Sequence, residues 1–95
     1  MYAITFDLQV AALESHYPGA SYNNAYGDIK RFLASKGFER QQGSVYFGND
    51  ATNAVTTTLA VAAMAREFPW LEHCVTDIRM LRIEENNDLK PVFTM

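Results

Sequence analysis

The chain has 95 residues, of which 48% are hydrophobic, 13% aromatic and 20% charged, with a formal net charge of −3. That length fits one domain around one core, and the aromatic content excludes a disordered chain. The longest apolar run, Leu59 to Ala65, falls far short of the ~20 residues that cross a bilayer, and the acidic balance argues against a tight, sequence-independent grip on duplex nucleic acid. Transient handling of a single strand is compatible with it. The N-terminus, Met-Tyr-Ala-Ile-Thr-Phe-Asp, carries no basic leader or cleavage site, so no secretory signal is expected. Cys74 is the only cysteine, so no disulfide framework is expected within the chain. These features predict a single domain over residues 1–95, in the cytoplasm and off the membrane.

Tyr2 to Leu8 alternates, with Tyr2, Ile4, Phe6 and Leu8 on one face, the period of a half-buried strand. Val10 to His16 suits a short helical turn, and Pro18-Gly19 then breaks the chain. Ser21 is a good N-cap for a first long helix. Tyr22, Ala25, Tyr26, Ile29, Phe32 and Leu33 form its apolar stripe, and Gly37 stops it. Phe38–Gln41 and Ser44–Gly48 flank Gln42-Gly43 and read as a hairpin, with Val45 and Phe47 toward the core and Ser44 and Tyr46 on the other face. Asn49 or Asp50 caps a second helix from about Ala51 to Phe68, despite the β-branched run Thr56-Thr57-Thr58. Pro69 ends it, and Trp70 and Leu71 cover one end of the core. Thr76 to Glu84 is the last long strand. Asp77, Arg79, Leu81 and Ile83 share one parity and Ile78 and Met80 the other, an untidy pattern that fits a bulge or a strand covered on both faces. Lys90 to Met95 adds a short edge strand.

The order strand, helix, strand, strand, helix, strand is the split pattern of an α+β, ferredoxin-like βαββαβ fold, an antiparallel sheet with both helices on one face. The other face stays open. Parity places Asp7, Ser44 and Asp77 at one corner of that open face, with Thr5, Tyr46 and Arg79 in the next row. Exposed sheet faces are normally polar, so a solvated row is the plain reading. Asp7 resists it, because aspartate is disfavoured in a strand interior. His16 and His73 are isolated and lack metal-ligand spacing. Cys74 has no basic activator nearby in sequence and reads as a packing residue. Lys30 and Arg31 fall on the solvated side of the first long helix, and Arg40-Gln41-Gln42 is a polar hairpin segment within reach of a phosphate.

Several segments together resemble one family. They are Met1-Tyr2-Ala3-Ile4 with Phe6-Asp7-Leu8, Ser21-Tyr22-Asn23-Asn24-Ala25-Tyr26 with Asp28-Ile29-Lys30, Gln42-Gly43-Ser44-Val45-Tyr46-Phe47, and Asp77-Ile78-Arg79 with Leu81-Arg82-Ile83-Glu84-Glu85. In this order they closely resemble the bacterial virulence-associated protein D family. The resemblance implies a small cytoplasmic, ferredoxin-like endoribonuclease, usually dimeric, in some cases the toxin of a toxin–antitoxin pair with an antitoxin protein as partner. It also implies likeness to the small CRISPR-associated nuclease or adaptor proteins, whose two copies meet across the open sheet face. Asp7 matches the aspartate that ends the first strand there, and Ser44 and Asp77 match further motif positions.

If two open faces meet, Leu81 and Ile83 gain partners and two Asp7 side chains approach the symmetry axis. A divalent cation such as Mg2+ held by Asp7 would relieve their repulsion and activate water. Without a metal, Asp7 or Asp77 would take the proton of a ribose 2′-hydroxyl, with Ser44 orienting the phosphate. Tyr46 and Arg79 would bind substrate, Arg79 by offsetting phosphate charge. The alternative is a non-catalytic dimeric adaptor or RNA-binding module on the same fold.

Overall fold

Tyr2–Leu8 forms β1, rich in the aromatic and β-branched side chains that fit a pleated surface. The computed structural model describes residues 1–95. After β1 come α1 (Val10–His16), α2 (Asn24–Ser35), β2 (Phe38–Gln42), β3 (Val45–Gly48), α3 (Ala54–Glu67), α4 (Leu71–Cys74) and β4 (Val75–Arg82). The strands make one sheet in the order β2, β3, β1, β4, antiparallel throughout. This is the α+β, ferredoxin-like arrangement that the element order predicts.

One face of the sheet carries the core. Ile4 and Phe6 of β1 pack there with Phe38 of β2, Ala25, Ile29 and Leu33 of α2, and Ala60 and Met64 of α3. Leu13 of α1 and Trp70, Leu71 and Cys74 around α4 close one end, where Tyr17 meets Trp70 edge to face with ring centres 5.0 Å apart. No helix covers the other face.

β3 reverses the expected parity. Ile4 lies opposite Tyr46 and Thr5 opposite Val45, and residues directly opposite in a ladder share a face. Tyr46 is therefore on the core side, stacked 5.9 Å from Phe6, while Val45 and Phe47 lie on the open face. Ala3 sits on that face between Phe47 and Leu81 and is fully buried by its neighbours although no helix covers it.

The helix starts also shift. α2 begins at Asn24, because the Ser21 carbonyl accepts the Asn24 amide at 3.0 Å and closes a turn first. α3 begins at Ala54, with Asn53 and not Asn49 or Asp50 as its cap. The Thr56 amide donates to Asn53 Oδ1 at 2.9 Å, and the Asn53 amide donates to Thr56 Oγ1 at 2.8 Å, a reciprocal capping box. Asn49 is already spent on the preceding turn, its Oδ1 accepting the Ala51 amide. Thr57 and Thr58 hydroxyls donate back to the Asn53 and Ala54 carbonyls at 2.7 and 2.9 Å, which satisfies their polar atoms within the helix.

At the C-terminus no edge strand forms. Lys90–Thr94 is a single 3-10 turn, favoured by Pro91, which has no amide to donate, and by Asp88, whose carboxylate accepts the Lys90 amide at 2.9 Å. Val92 and Phe93 are exposed on it.

The capping box makes the start of α3 sensitive to one side chain. Asn53→Ala should cost about 1 kcal/mol and lower the thermal midpoint by about 4–8 °C in a domain of this size, measurable by circular dichroism, whereas Asn49→Ala should leave the α3 cap in place.

Candidate active site on the open sheet face

β1 and β4 carry the acidic pair to one place. Asp7 lies opposite Asp77, and the register then slips so that Leu8 faces Val75. Thr76 is the extra residue of this bulge, and its hydroxyl donates to the Asp7 carbonyl at 3.3 Å. A bulge raises the local twist and re-aims the side chains beside it. Both carboxylates project from the open face, and like charges placed directly across strands weaken a sheet.

The two carboxylates have different partners. Arg79 Nε donates to both oxygens of Asp77, at 3.1 and 3.0 Å. That hydrogen bond, aided by the charge attraction, raises the Arg79 pKa further, so the guanidinium stays charged. Asp7 is exposed and takes part in none of the ion pairs of the chain. One carboxylate is held beside a cation, and the other stands in no ion pair.

No cluster of three or more histidine, cysteine, aspartate or glutamate side chains gathers anywhere in the chain, and Asp77 already faces Arg79. One chain thus offers a divalent cation only Asp7 and a partner engaged elsewhere, fewer ligands than a closed site supplies. A bridging cation would need the Asp7 carboxylates of two copies, a donor set that one chain does not supply.

Ser44 and Tyr46 do not join this corner. The Phe6 amide donates to the Ser44 carbonyl at 3.2 Å, so Ser44 shares the side of Phe6, which is the helical face. There Ser44 and Tyr46 line a cleft between α2 and the β2–β3 hairpin. Tyr46 is 2% exposed, and burial raises its phenol pKa, with nearby Arg40 pulling the other way. The expected cluster therefore divides: Asp7, Asp77 and Arg79 on the open face, Ser44 and Tyr46 behind it.

Two contacts had no signal in the sequence. The His16 and His73 rings stack with centres 4.6 Å apart, joined only because α1 packs on α4. Asp28 accepts the Tyr17 hydroxyl and the Arg31 guanidinium, and its hydrogen bond raises the Tyr17 pKa. Cys74 is fully buried and burial pushes its thiol pKa up, as its reading as a packing residue requires.

No protein-family model matches the sequence, but individual proteins do. The chain is 47% identical to endoribonuclease VapD 2 of Riemerella anatipestifer over 94 residues, covering 99% of this chain and 100% of that protein. It is 47% identical to an endoribonuclease VapD homolog of Helicobacter pylori over 91 residues, 96% of this chain and 94% of the relative. The VapD of Dichelobacter nodosus is 41% identical over 92 residues, 97% and 96% of the two chains. The chain belongs to the VapD family.

In this VapD chain the carboxylate pair is set against the stability of its own sheet. Asp7→Asn removes the cross-strand repulsion and should stabilise the protein by ~0.2–1 kcal/mol, seen as a raised urea midpoint at neutral pH. Cys74 should remain unreactive toward an aromatic disulfide reagent at pH 8 in the native protein and become reactive on unfolding.

Proposed function

We propose that this chain is an endoribonuclease that cleaves single-stranded RNA, with Asp7 as its general base. The observation that carries this reading is the free Asp7 carboxylate, held at a bulge opposite an Asp77 that is tied to Arg79. The relatives named endoribonuclease VapD point the same way. Asp7 takes the proton of a ribose 2′-hydroxyl, and the 2′ oxygen attacks the adjacent phosphorus. The bond from phosphorus to the 5′ oxygen breaks, and that oxygen takes a proton from water. The product strand ends in a 2′,3′-cyclic phosphate, and Asp7 returns its proton to solvent. Arg79, 69% exposed, swings from Asp77 toward the phosphate and offsets the charge that builds on it. Ser44 meets RNA from the helical face, at the cleft whose floor Tyr46 helps to form.

The active form in this reading is a homodimer through the open face. Val45, Phe47 and Leu81 share that face with Ala3, and Leu81 is 44% exposed. A two-fold interface uses the same patch on both copies, and this patch is apolar beside the carboxylates. The exposed Leu89, Val92, Phe93 and Met95 of the tail extend the apolar surface available to a second copy. The finer biology rests on the family resemblance: messenger RNA as target, a cytoplasmic setting, and a role as the toxin of a pair whose antitoxin protein restrains it. No helix is long and apolar enough to cross a membrane.

Purified wild type and Asp7→Ala, assayed on one single-stranded RNA, should differ in cleavage rate by ~10²-fold or more. A substrate lacking the 2′-hydroxyl at the cut site should resist, and EDTA should leave the rate within about twofold, since the general-base route needs no Lewis acid. Equal rates for Asp7→Ala and wild type would replace the enzyme with a dimeric adaptor on the same fold. Leu81→Glu should shift the light-scattering mass from dimer to monomer at micromolar concentration, because a buried unpaired charge disfavours the interface.

A further inference from the structure

We propose that the cleft between α2 and the β2–β3 hairpin docks single-stranded RNA, with a backbone phosphate between Lys30 and Arg40 and a base against the ring of Tyr26. This rests on the reading of the chain as an RNA-cleaving protein and adds the surface that holds the strand. The cleft measures about 400 Å³, and Lys30, Arg40, Tyr26, Ser44 and Tyr46 all line it. No carboxylate does, in a chain whose net charge is −3.

The cations are available. Arg31, Arg79 and Arg82 are each tied to a carboxylate, while Lys30 and Arg40 are in no ion pair. Arg40 spends one donor, its Nε giving a 2.7 Å hydrogen bond to the Gly43 carbonyl, which orients the guanidinium and leaves its terminal nitrogens free. A planar guanidinium held this way suits a phosphate. β2 bulges next to it, the register stepping from Arg40 opposite Tyr46 to Gln42 opposite Val45, so the ladder is interrupted where the cation is presented.

The aromatic wall is not needed by the core. Tyr26 belongs to the apolar stripe of α2 but is 38% exposed, whereas Ala25, Ile29 and Leu33 are fully buried. A ring left half in water beside two cations is a stacking platform for a base. Gly27 fits the same design. A methyl group there would come no nearer than 3.4 Å to the Arg31 side chain, so packing tolerates alanine, which is the better helix former. Glycine instead leaves the cleft wall low between Tyr26 and Lys30.

The position also connects the cleft to the carboxylate. Phe6 lines the cleft and is the chain neighbour of Asp7, on the opposite face of the sheet. Gly43, another lining residue, forms the turn around which a strand would pass, and a side chain there would meet nothing within 4 Å. A flexible single strand can round this end of the hairpin; a stiff duplex cannot follow the bend, so the cleft selects single strands.

The test is equilibrium binding of a 2′-O-methyl oligoribonucleotide, which resists cleavage by the 2′-hydroxyl route, read by fluorescence anisotropy on the full chain at several salt concentrations. Lys30→Gln/Arg40→Gln should weaken binding by about tenfold or more and flatten the slope of log K against log salt by about 0.7–1.4, one or two phosphate contacts on a single strand. Tyr26→Ala should lose about fivefold or more while Tyr26→Phe, which keeps the ring, stays within about twofold. Arg31→Gln, on the same helix but outside the cleft, should bind within about twofold of wild type. Wild-type affinity and slope in the double variant, or an equal loss in Arg31→Gln, would overturn the assignment. Cleavage is read separately, on RNA that keeps its 2′-hydroxyls, so failure of the catalytic reading and failure of the cleft are told apart.

Discussion

The register of β1 against its two neighbours is the constraint on which the rest of this structure depends. β1 is a central strand, paired with β3 on one side and by the longest ladder of the sheet with β4 on the other. Its alternation puts Ile4 and Phe6 into the core and Thr5 and Asp7 on the opposite face. Because the side-chain period of a strand is two, a slip by one residue would exchange the faces. It would bury Asp7 under α2 and α3 and expose Ile4 and Phe6. The burial of those two side chains therefore holds Asp7 at the open surface, and the Thr76 bulge sets which β4 residue it meets.

The same register distributes chemistry over two faces. The open face carries the carboxylates and an apolar strip, Ala3 between Phe47 and Leu81. The helical face carries the core and, at its margin, Ser44 with Lys30 and Arg40. Phe6 and Asp7 are adjacent in the chain and look in opposite directions. A strand-end carboxylate is thus separated from the positive charges by the thickness of a sheet, and opposite charges that would otherwise neutralise each other both remain available. Arg79 is the exception, and it occupies Asp77 rather than Asp7.

The fold was legible because its long elements have contrast. β1 alternates apolar and polar residues, α2 carries a stripe at helical spacing, and α3 ends at Glu67 with Phe68 as its C-cap just before Pro69. β3 had none: Val45, Tyr46 and Phe47 are all good strand formers, so neither parity leaves a polar face. The structure resolves it through Phe6, against which Tyr46 stacks. With β3 inverted, Asp7 and Asp77 stayed together while Ser44 and Tyr46 moved to the other side. The start of α3 was ambiguous for a different reason, since Asn49, Asp50 and Asn53 are all fit caps, and only Asn53 has Thr56 at the spacing that returns the hydrogen bond. The tail failed because Val92, Phe93 and Thr94 favour a strand, but Pro91 and the Asp88 side chain turn the chain first. The cleft was not legible at all as a cleft. Lys30 and Arg40 lie on a helix and a hairpin, and only the packing of α2 on β2 brings them face to face.

An acidic chain that handles RNA is not a contradiction once charge is considered locally. Net charge governs long-range attraction and non-specific adherence; at physiological ionic strength fields fade over ~8 Å. A phosphate in the cleft would meet Lys30 and Arg40 among the lining residues, and no carboxylate lines it. The acidic turn Glu84-Glu85 and the other carboxylates repel polyanions elsewhere on the surface. Such a distribution weakens binding to arbitrary stretches of nucleic acid while leaving one groove attractive. Contact there requires the strand to place a base on Tyr26 as well as a phosphate between the cations, which a paired, stacked duplex does not offer. On the proposed reading, the net charge of −3 limits adherence elsewhere on the surface, and the groove between Lys30 and Arg40 would supply the affinity.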